Sequence, residues 1–450
     1  MTHYQSVQAA EADVNIYVAE MRFFRALEYF NKIQLLGDVP WLEVDLNVDS
    51  EELYGPKMKR NQVFQKIIED LDFAIQWLPE AGSEEANRLN KDIARHVKAR
   101  FCLNEGTHYK YHDELEYASE AEKWLQMAAT ESDKLITSGR YEIYNAGHPQ
   151  EDYFNMYRID DKSDLKEAVL YVDYKTNIRE HNMAAAGREA GCGFSKSFVE
   201  SFLCSDGLPI SLSNKYLGDE TMRKETANRD PRLKQLILTN DFPTNVTDDL
   251  KDSTFVVNED EFITQHCFTG YRPIKGFNPI YSQALYMKSS FDGIAYRYAE
   301  TLLINAEAKA ELNTITNADL DRTVNQLRDR VGMPHLTVNV GFTDPKWPDW
   351  GYSLSPVLQE IRRERCIELA GEGFRFNDLK RWKAGKLLNN VLTYVGKRKP
   401  DAIVYPNYTN PDLSYQAGKS RTWEDKMYLY PIPTGELQRN PQLLPQNPGW

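Results

Sequence analysis

Helical periodicity at both ends of the chain is the feature that most constrains its fold. In the first 140 residues, apolar side chains recur at steps of three and four, which is the spacing of one face of an α-helix. The same spacing returns after about residue 291. Four stripes occupy the first third, at residues 23–33, 64–78, 93–101 and 117–135. Helix-breaking residues follow the stripes and predict their ends: Gly37, Pro79, Gly106 and Gly139.

The centre of the chain has a different pattern. Clusters of Gly, Pro, Asn and Asp interrupt it, and one extended run lies at residues 169–174, so loops with a few short strands are predicted. The predicted fold class is mostly α, with tetratricopeptide-like helical repeats of irregular period carrying this loop-rich segment. Because no low-complexity linker separates the parts, a single domain over residues 1–450 is expected. Its predicted parts are helical repeats at 1–140, a loop-rich ligand-facing segment at 141–290, helical repeats at 291–385 and an irregular segment at 386–450.

Charge and cysteine usage exclude several function classes. The chain has 54 Lys and Arg against 67 Asp and Glu, a formal net charge of −13, so nucleic acid is not an expected partner. No window approaches the ~18 consecutive apolar residues of a membrane-spanning helix. The 5 cysteines are widely spaced with no C-x-x-C, which argues against a disulfide scaffold or a structural zinc site.

Motifs for catalysis or metal binding are not convincing. His108 and His112 stand four residues apart and could share a helix face toward a metal, but the position after Gly106 favours an exposed turn. The acidic pairs at 160–161 and 248–249 lie in polar stretches, where solvated charge is the usual explanation. We therefore predict no enzyme activity, no metal and no cofactor, and keep a hydrolase with paired carboxylates as a distant alternative.

Aromatic residues in the irregular segments give the richest chemical signal. A sugar ring has an apolar C–H face and a hydroxyl rim, so aromatic faces beside planar hydrogen-bonding groups suit it. Such rings could equally fasten long loops onto the helices, and the segment 347–352 could insert into a partner. The candidate ligand-binding residues are Tyr174, Arg179, His181, Arg188, Phe194, Trp347 and Trp350.

Two segments carry a resemblance to a known family. Residues 20–40 contain EMRFFRALEYF followed by LGDVP, and residues 363–382 read RERCIELAGEGFRFNDLKRW. Both resemble the SusD/RagB family of glycan-binding outer-membrane lipoproteins, and the second is similar to its most recognisable stretch. Weaker matches occur in the family's order at 206–208, 228–232, 297–308, 325–330, 430–433 and 446–450.

The second of these segments has structural chemistry. Its arginines and glutamates can pair at helical spacings, and a turn at Gly371 and Gly373 leads to Arg375 and Asp378 on the next helix. A partly buried lattice of arginines and carboxylates that fixes how two helices meet is therefore predicted. The residues on the first helix are Arg362, Arg363, Glu364, Arg365 and Glu368.

The resemblance implies a non-catalytic protein at the surface of the outer membrane. Such proteins bind oligosaccharide or polysaccharide and deliver it to a SusC-like TonB-dependent transporter. They carry an N-terminal signal, a lipidated Cys and further residues before the segment matching Glu20, none of which is in this sequence, so the membrane anchor and part of the site are expected to lie outside it. The family's pattern implies ligand contacts from the loops at 174–194. The alternative is a helical-repeat component of the transporter complex with no sugar affinity of its own.

Overall fold

The computed structural model describes most of the chain, and its contacts divide into two compact units. The described residues are 11–83, 87–183, 193–240, 262, 267–398, 413–415 and 421–450. The first unit comprises 1–137, 380–385 and 423–450, and the second comprises 138–379 and 386–422. The expectation of a single domain stays a prediction.

Regular structure in the described residues is mostly helical, which confirms the predicted mostly α fold class with few strands. The longer helices are α1 (Glu11–Leu36), α2 (Arg60–Trp77), α3 (Lys91–Tyr111) and α4 (Ala118–Thr137). The shorter ones up to the second strand are α5 (Asp152–Tyr157), α6 (Lys196–Ser201), α7 (Met222–Thr226), α8 (Arg232–Leu236) and α9 (Tyr281–Ala284). Those after it are α10 (Tyr298–Glu311), α11 (Asn317–Asp321), α12 (Val324–Arg330), α13 (Pro356–Glu368), α14 (Arg375–Arg381) and α15 (Thr434–Arg439).

In the described part of the chain, four strands form two small antiparallel sheets. The strands are β1 (Ala168–Val172), β2 (Gly293–Arg297), β3 (Val395–Arg398) and β4 (Leu413–Tyr415). In the first sheet β1 pairs with β2, with Ala168 opposite Arg297 and Val172 opposite Gly293. The extended run predicted at 169–174 is therefore a strand that begins one residue earlier.

An aromatic core connects the four long helices of the first unit. The ring of Phe30 on α1 stacks on Phe101 of α3, with centroids 3.6 Å apart. Phe64 of α2 meets Trp124 of α4 edge to face at 4.8 Å. These rings all come from the predicted apolar stripes, so helical periodicity identified the core of this unit.

The helix ends predicted at Gly37 and Pro79 are observed, but the one predicted at Gly106 is not. Gly37 has φ +76° directly after α1, and α2 ends before Pro79, as predicted. The prediction that Gly106 ends the third helix is wrong, because α3 continues to Tyr111. A Cβ on Gly106 would lie 2.9 Å from the Leu125 side chain and backbone of α4. This glycine permits a close approach of two helices.

The two histidines after Gly106 are consequently buried on a helix end and not on an exposed turn. Their rings stack with centroids 4.0 Å apart. His112 contacts the Glu114 carboxylate through Nδ1 and the Lys380 carbonyl oxygen through Nε2, each at 2.8 Å. Both ring nitrogens of His112 thus have structural partners.

An apolar core and a lattice of buried ion pairs hold the second unit together. Its apolar core gathers buried side chains from α5 to α9 and from the end of α13: Tyr153, Phe202, Leu233, Leu236, Tyr271 and Ile367. Against this core lies an ion lattice centred on Glu368 of α13. Its carboxylate accepts hydrogen bonds from Arg330 at 2.6 Å, Arg297 at 2.7 Å and Arg232 at 3.0 Å.

The predicted lattice of arginines and carboxylates is confirmed, but most of its pairs join separate elements. Arg365 on α13 pairs with Asp378 on α14 at 3.0 Å, the connection that the sequence predicted. Arg362 reaches Glu311 on α10 at 2.9 Å, and Arg363 reaches Asp344 at 2.6 Å. Pairing along the helix itself is minor, because these side chains are buried against neighbouring elements.

In the part of the chain that the structure describes, none of the helices combines the length and the apolar character needed to span a bilayer.

Candidate functional site

The residues that follow β1 form a tight hairpin. The Lys175 N–H donates to the Arg179 carbonyl oxygen at 2.9 Å, and the Arg179 N–H returns a bond to the Lys175 carbonyl oxygen at 2.9 Å. Asn177 at the tip has φ +63°, a left-handed conformation that asparagine tolerates better than most residues. The hairpin therefore has a defined shape at the surface of the second unit.

A second segment, residues 281–292, packs against this hairpin. Backbone bonds of 2.8 and 3.1 Å pair His181 with Ser289, and the Met287 N–H donates to Asn182 Oδ1 at 3.1 Å. Lys288 forms an ion pair with Glu180 at 3.0 Å. We call residues 174–183 together with 281–292 the hairpin surface.

Three of the predicted ligand residues meet on the hairpin surface. His181 lies edge to face against the ring of Tyr174, with centroids 4.5 Å apart. The guanidinium of Arg179 lies 4.9 Å from the centroid of the same ring. Tyr174 is half-buried and Arg179 is exposed, so this small cluster presents a planar cation and an aromatic edge to solvent.

Hydrogen bonds fix the protonation state of His181. Its Nε2 donates to the Phe291 carbonyl oxygen at 2.9 Å, and its Nδ1 accepts from the Met183 N–H at 3.1 Å. Burial lowers the pKa of His181, and the charge of Lys162 lowers it further. The imidazole is therefore neutral at pH 7 and supports the hairpin through both nitrogens.

Large apolar side chains on the hairpin surface are unusually exposed. Tyr281 is 60% exposed and Tyr286 is 68% exposed, and Ile178 at the hairpin tip is 77% exposed. These two tyrosines are not among the ligand-binding residues predicted from the sequence. Both lie in the segment 281–290, which mixes apolar and polar residues, so its sequence does not distinguish an exposed tyrosine from one that packs inward.

The other predicted ligand residues lie in different surroundings. Phe194 stacks on Phe198, with centroids 4.4 Å apart, and packs against the apolar core. Trp350 is buried, and its Nε1 donates to Gln359 at 2.7 Å. Trp347 is half-buried and donates to the buried Glu360 at 2.7 Å. Arg188 lies outside the described residues. Ligand contact by these four residues stays a prediction.

The hairpin surface has the chemistry of a binding surface. Its polar edge includes the hydroxyls of Thr176 and Ser290, which bond each other at 3.1 Å, and the amide of Gln283, which donates to Ser290 at 3.0 Å. Exposed rings next to amide, hydroxyl and guanidinium groups suit a ligand that has apolar faces and a hydroxyl rim. In the described part of the chain, no group of three or more His, Cys, Asp or Glu side chains is arranged to hold a metal ion.

The chain is similar to known SusD-like proteins in sequence and in fold. The chain is 25% identical to the SusD-like protein P2 of Formosa agariphila, over 98% of this chain and 75% of the relative. The crystal structure of a SusD-like protein from Bacteroides fragilis has a TM-score of 0.72 at 24% identity, covering 99% of this chain and 82% of that one. A SusD-like carbohydrate-binding protein from the same species has a TM-score of 0.73 at 22% identity, with 98% and 83% covered.

These structural likenesses concern the fold alone, because the sequence identities are low. The family model described as the SusD family matches residues 137–450, which is more than half of the chain. The matched residues include the ion lattice around Glu368 and both segments of the hairpin surface. The chain belongs to the SusD family.

Proposed function

We propose that the protein binds oligosaccharide or polysaccharide at the cell surface without cleaving it, and delivers it to a TonB-dependent outer-membrane transporter. The observation that carries this proposal is the hairpin surface, where the exposed rings of Tyr281 and Tyr286 lie on a rigidly bonded support. A solved relative from Bacteroides fragilis is described as carbohydrate binding, which supports the same ligand class.

The physical basis is stacking combined with hydrogen bonding at the rim. A pyranose face placed on a tyrosine ring buries apolar C–H surface, and its hydroxyls can bond to nearby amide and guanidinium groups. Arg179 is already held against Tyr174, so part of the conformational cost of ordering its side chain is met before a ligand arrives.

Affinity electrophoresis tests the ligand class. The chain is run in native gels that contain neutral, uronate-containing or sulfated polysaccharides, and we expect at least one of them to slow its migration relative to a gel without glycan. Migration unchanged by the whole panel would contradict the proposal.

Chromatographic sizing of the retained glycan tests the absence of cleavage. After prolonged incubation with the protein, we expect an unchanged length distribution. Shortening that disappears when one carboxylate is replaced would instead support the hydrolase alternative.

A second candidate function has its own observation in the first unit. Tyr17, Met21 and Phe24 on α1 stand at i, i+4 and i+7, and all three side chains are more than half exposed. An apolar stripe of this kind on a helix is typical of a protein contact. A helical-repeat component of the transporter complex without sugar affinity is therefore the alternative.

Co-purification separates the two candidates. The chain is co-expressed with a TonB-dependent outer-membrane transporter and recovered on a tag. The variant Met21→Ser/Phe24→Ser is compared with Ile178→Ser on the hairpin surface. If the alternative holds, only the α1 variant should fail to co-purify with the transporter. The unmodified chain should then migrate in every glycan gel as it does without glycan. Glycan retention by the unmodified chain would count against it.

A further inference from the structure

A cleft of about 360 Å³ opens in the second unit. One side is formed by residues 142–145 and the other by residues 159–167. The volume lies in the range of about 300–1,000 Å³ that is usual for small-molecule sites. Asp161 of the acidic pair at 160–161 lies in this lining, and none of the candidate ligand-binding residues does.

The walls of the cleft are fixed from behind. The Tyr144 N–H donates to the buried carboxylate of Glu167 at 2.7 Å, and the Glu142 N–H donates to the Lys166 carbonyl oxygen at 3.3 Å. Glu167 is itself held by Arg297 at 3.0 Å, within the ion lattice. The cleft is therefore preformed, which lowers the cost of binding there.

Asp292 connects one wall of the cleft with the hairpin surface. Its carboxylate accepts from the Lys162 N–H at 3.0 Å and from the Tyr174 N–H at 2.9 Å. The Lys162 ammonium then returns a bond to the Asp292 carbonyl oxygen at 2.6 Å. One side chain thus fixes both the loop that carries Asp161 and the start of the hairpin.

The lining combines apolar and acidic groups. Tyr144, Ile143 and Ile159 offer apolar surface, and the exposed carboxylates of Asp161 and Asp164 offer hydrogen-bond acceptors. Hydrogen bonds from the Ser163 side chain and, second, from its backbone N–H lower the pKa of Asp161, so it is charged at neutral pH.

The remaining charges of the lining nearly cancel one another. Lys166 pairs with Glu142 at 3.1 Å, and Glu167 is neutralised by the arginines of the lattice. Asp161 and Asp164 add two exposed carboxylates, so acidic side chains outnumber basic ones in the lining. Carboxylates accept hydrogen bonds from sugar hydroxyls but repel uronate and sulfate groups.

We infer that this cleft is a saccharide subsite selective for sugar units without acidic substituents. The inference rests on the proposed glycan-binding function and adds a site and a charge specificity to it. Tyr144 provides the apolar face, and the carboxylates of Asp161 and Asp164 accept hydroxyl hydrogen bonds and exclude anionic units.

Calorimetry with a matched pair of ligands tests this subsite. The probes are the neutral polysaccharide that the native gels retain most strongly and the same material oxidised at C6 to the uronate. We expect the chain to bind the neutral form at least about ten-fold more tightly. The variant Asp161→Asn/Asp164→Asn should reduce that ratio about three-fold or more, because both amides still accept hydrogen bonds but no longer repel the uronate.

Two further variants provide the controls. Asp13→Asn/Asp49→Asn removes the same charge from exposed positions of the first unit and should leave the ratio unchanged. Tyr144→Ala should weaken neutral binding and Tyr144→Phe should retain it, which assigns the contact to the ring and not to the hydroxyl.

The outcomes distinguish the inference from the proposed function. Binding of the neutral glycan with a ratio that does not change in Asp161→Asn/Asp164→Asn, or is already near one, overturns the subsite and leaves glycan binding intact. Failure of the unmodified chain to bind any glycan overturns both.

Discussion

The carboxylate of Glu368 is surrounded by Arg330, Arg297 and Arg232 in the interior of the second unit. Burial alone would disfavour its charge, but the three guanidinium groups outweigh burial and hold the pKa of Glu368 well below its usual range. We expect Glu368→Gln to lower the free energy of unfolding by about 3–5 kcal/mol, because it removes the buried counter-charge that these three guanidinium groups share. Denaturant unfolding measures this loss. Glu28→Gln, which removes an exposed partner of Lys32, should cause no measurable change.

Glu368 also makes the free energy of unfolding depend on pH, and its lowered pKa sets the sign of that dependence. A carboxyl whose pKa is lower in the folded than in the unfolded chain binds fewer protons when folded. Its stabilising contribution is complete above the unfolded pKa of about 4.3 and declines as the pH falls below it. The stability difference between the unmodified chain and Glu368→Gln should therefore shrink from pH 6 toward pH 3. A difference that grows on acidification would contradict this assignment.

At the scale of elements, the contact between α3 and α4 depends on one glycine. A Cβ on Gly106 would lie 2.9 Å from Leu125, including its backbone nitrogen, so one of the helices would have to shift. We expect Gly106→Ala to destabilise the protein by about 1–3 kcal/mol, which thermal unfolding would show. Gly435→Ala in α15 is the matched control, since no heavy atom lies within 4 Å of its Cβ position. Equal melting temperatures for the two variants would refute the close-contact explanation.

The positions of helices could be predicted from the sequence, but the contacts between them could not. The stripes containing Phe30, Phe64 and Trp124 predicted α1, α2 and α4, because an apolar face at helical spacing must be buried. Gly106 was misread because a helix end and a close helix contact both favour glycine. Long-range partners such as Arg362 with Glu311 could not be predicted, since the sequence of α13 does not specify which element covers it.

In the candidate site, contacts between neighbours in sequence could be predicted, but the packing of distant segments could not. Tyr174, Arg179 and His181 could be predicted to act together because they are close in sequence around one turn. The exposure of Tyr281 and Tyr286 depends on how segment 281–292 packs against the hairpin, which no local pattern records. The described contacts of Phe194 and Trp350 are mainly internal, in agreement with the alternative that rings fasten loops.

At the scale of the whole molecule, net charge limits what can bind without specific contacts. With a formal charge of −13, the chain has no general attraction for anionic polymers. Stacking and neutral hydrogen bonds are little affected by salt, so the affinity for a neutral glycan should change by less than about two-fold between 50 and 500 mM NaCl. Calorimetry at the two salt concentrations measures this. A steep loss at high salt would indicate that ion pairs carry the binding instead.

The exposed tyrosines of the hairpin surface provide the most direct test of glycan binding. Calorimetry with the glycan that the native gels identify would compare Tyr281→Ala/Tyr286→Ala with Tyr17→Ala/Tyr54→Ala, which removes two exposed tyrosines from the first unit. We predict that the hairpin variant loses at least about ten-fold in affinity, while the control binds like the unmodified chain. Equal affinity of the hairpin variant and the unmodified chain would contradict the assignment of this surface as the glycan site.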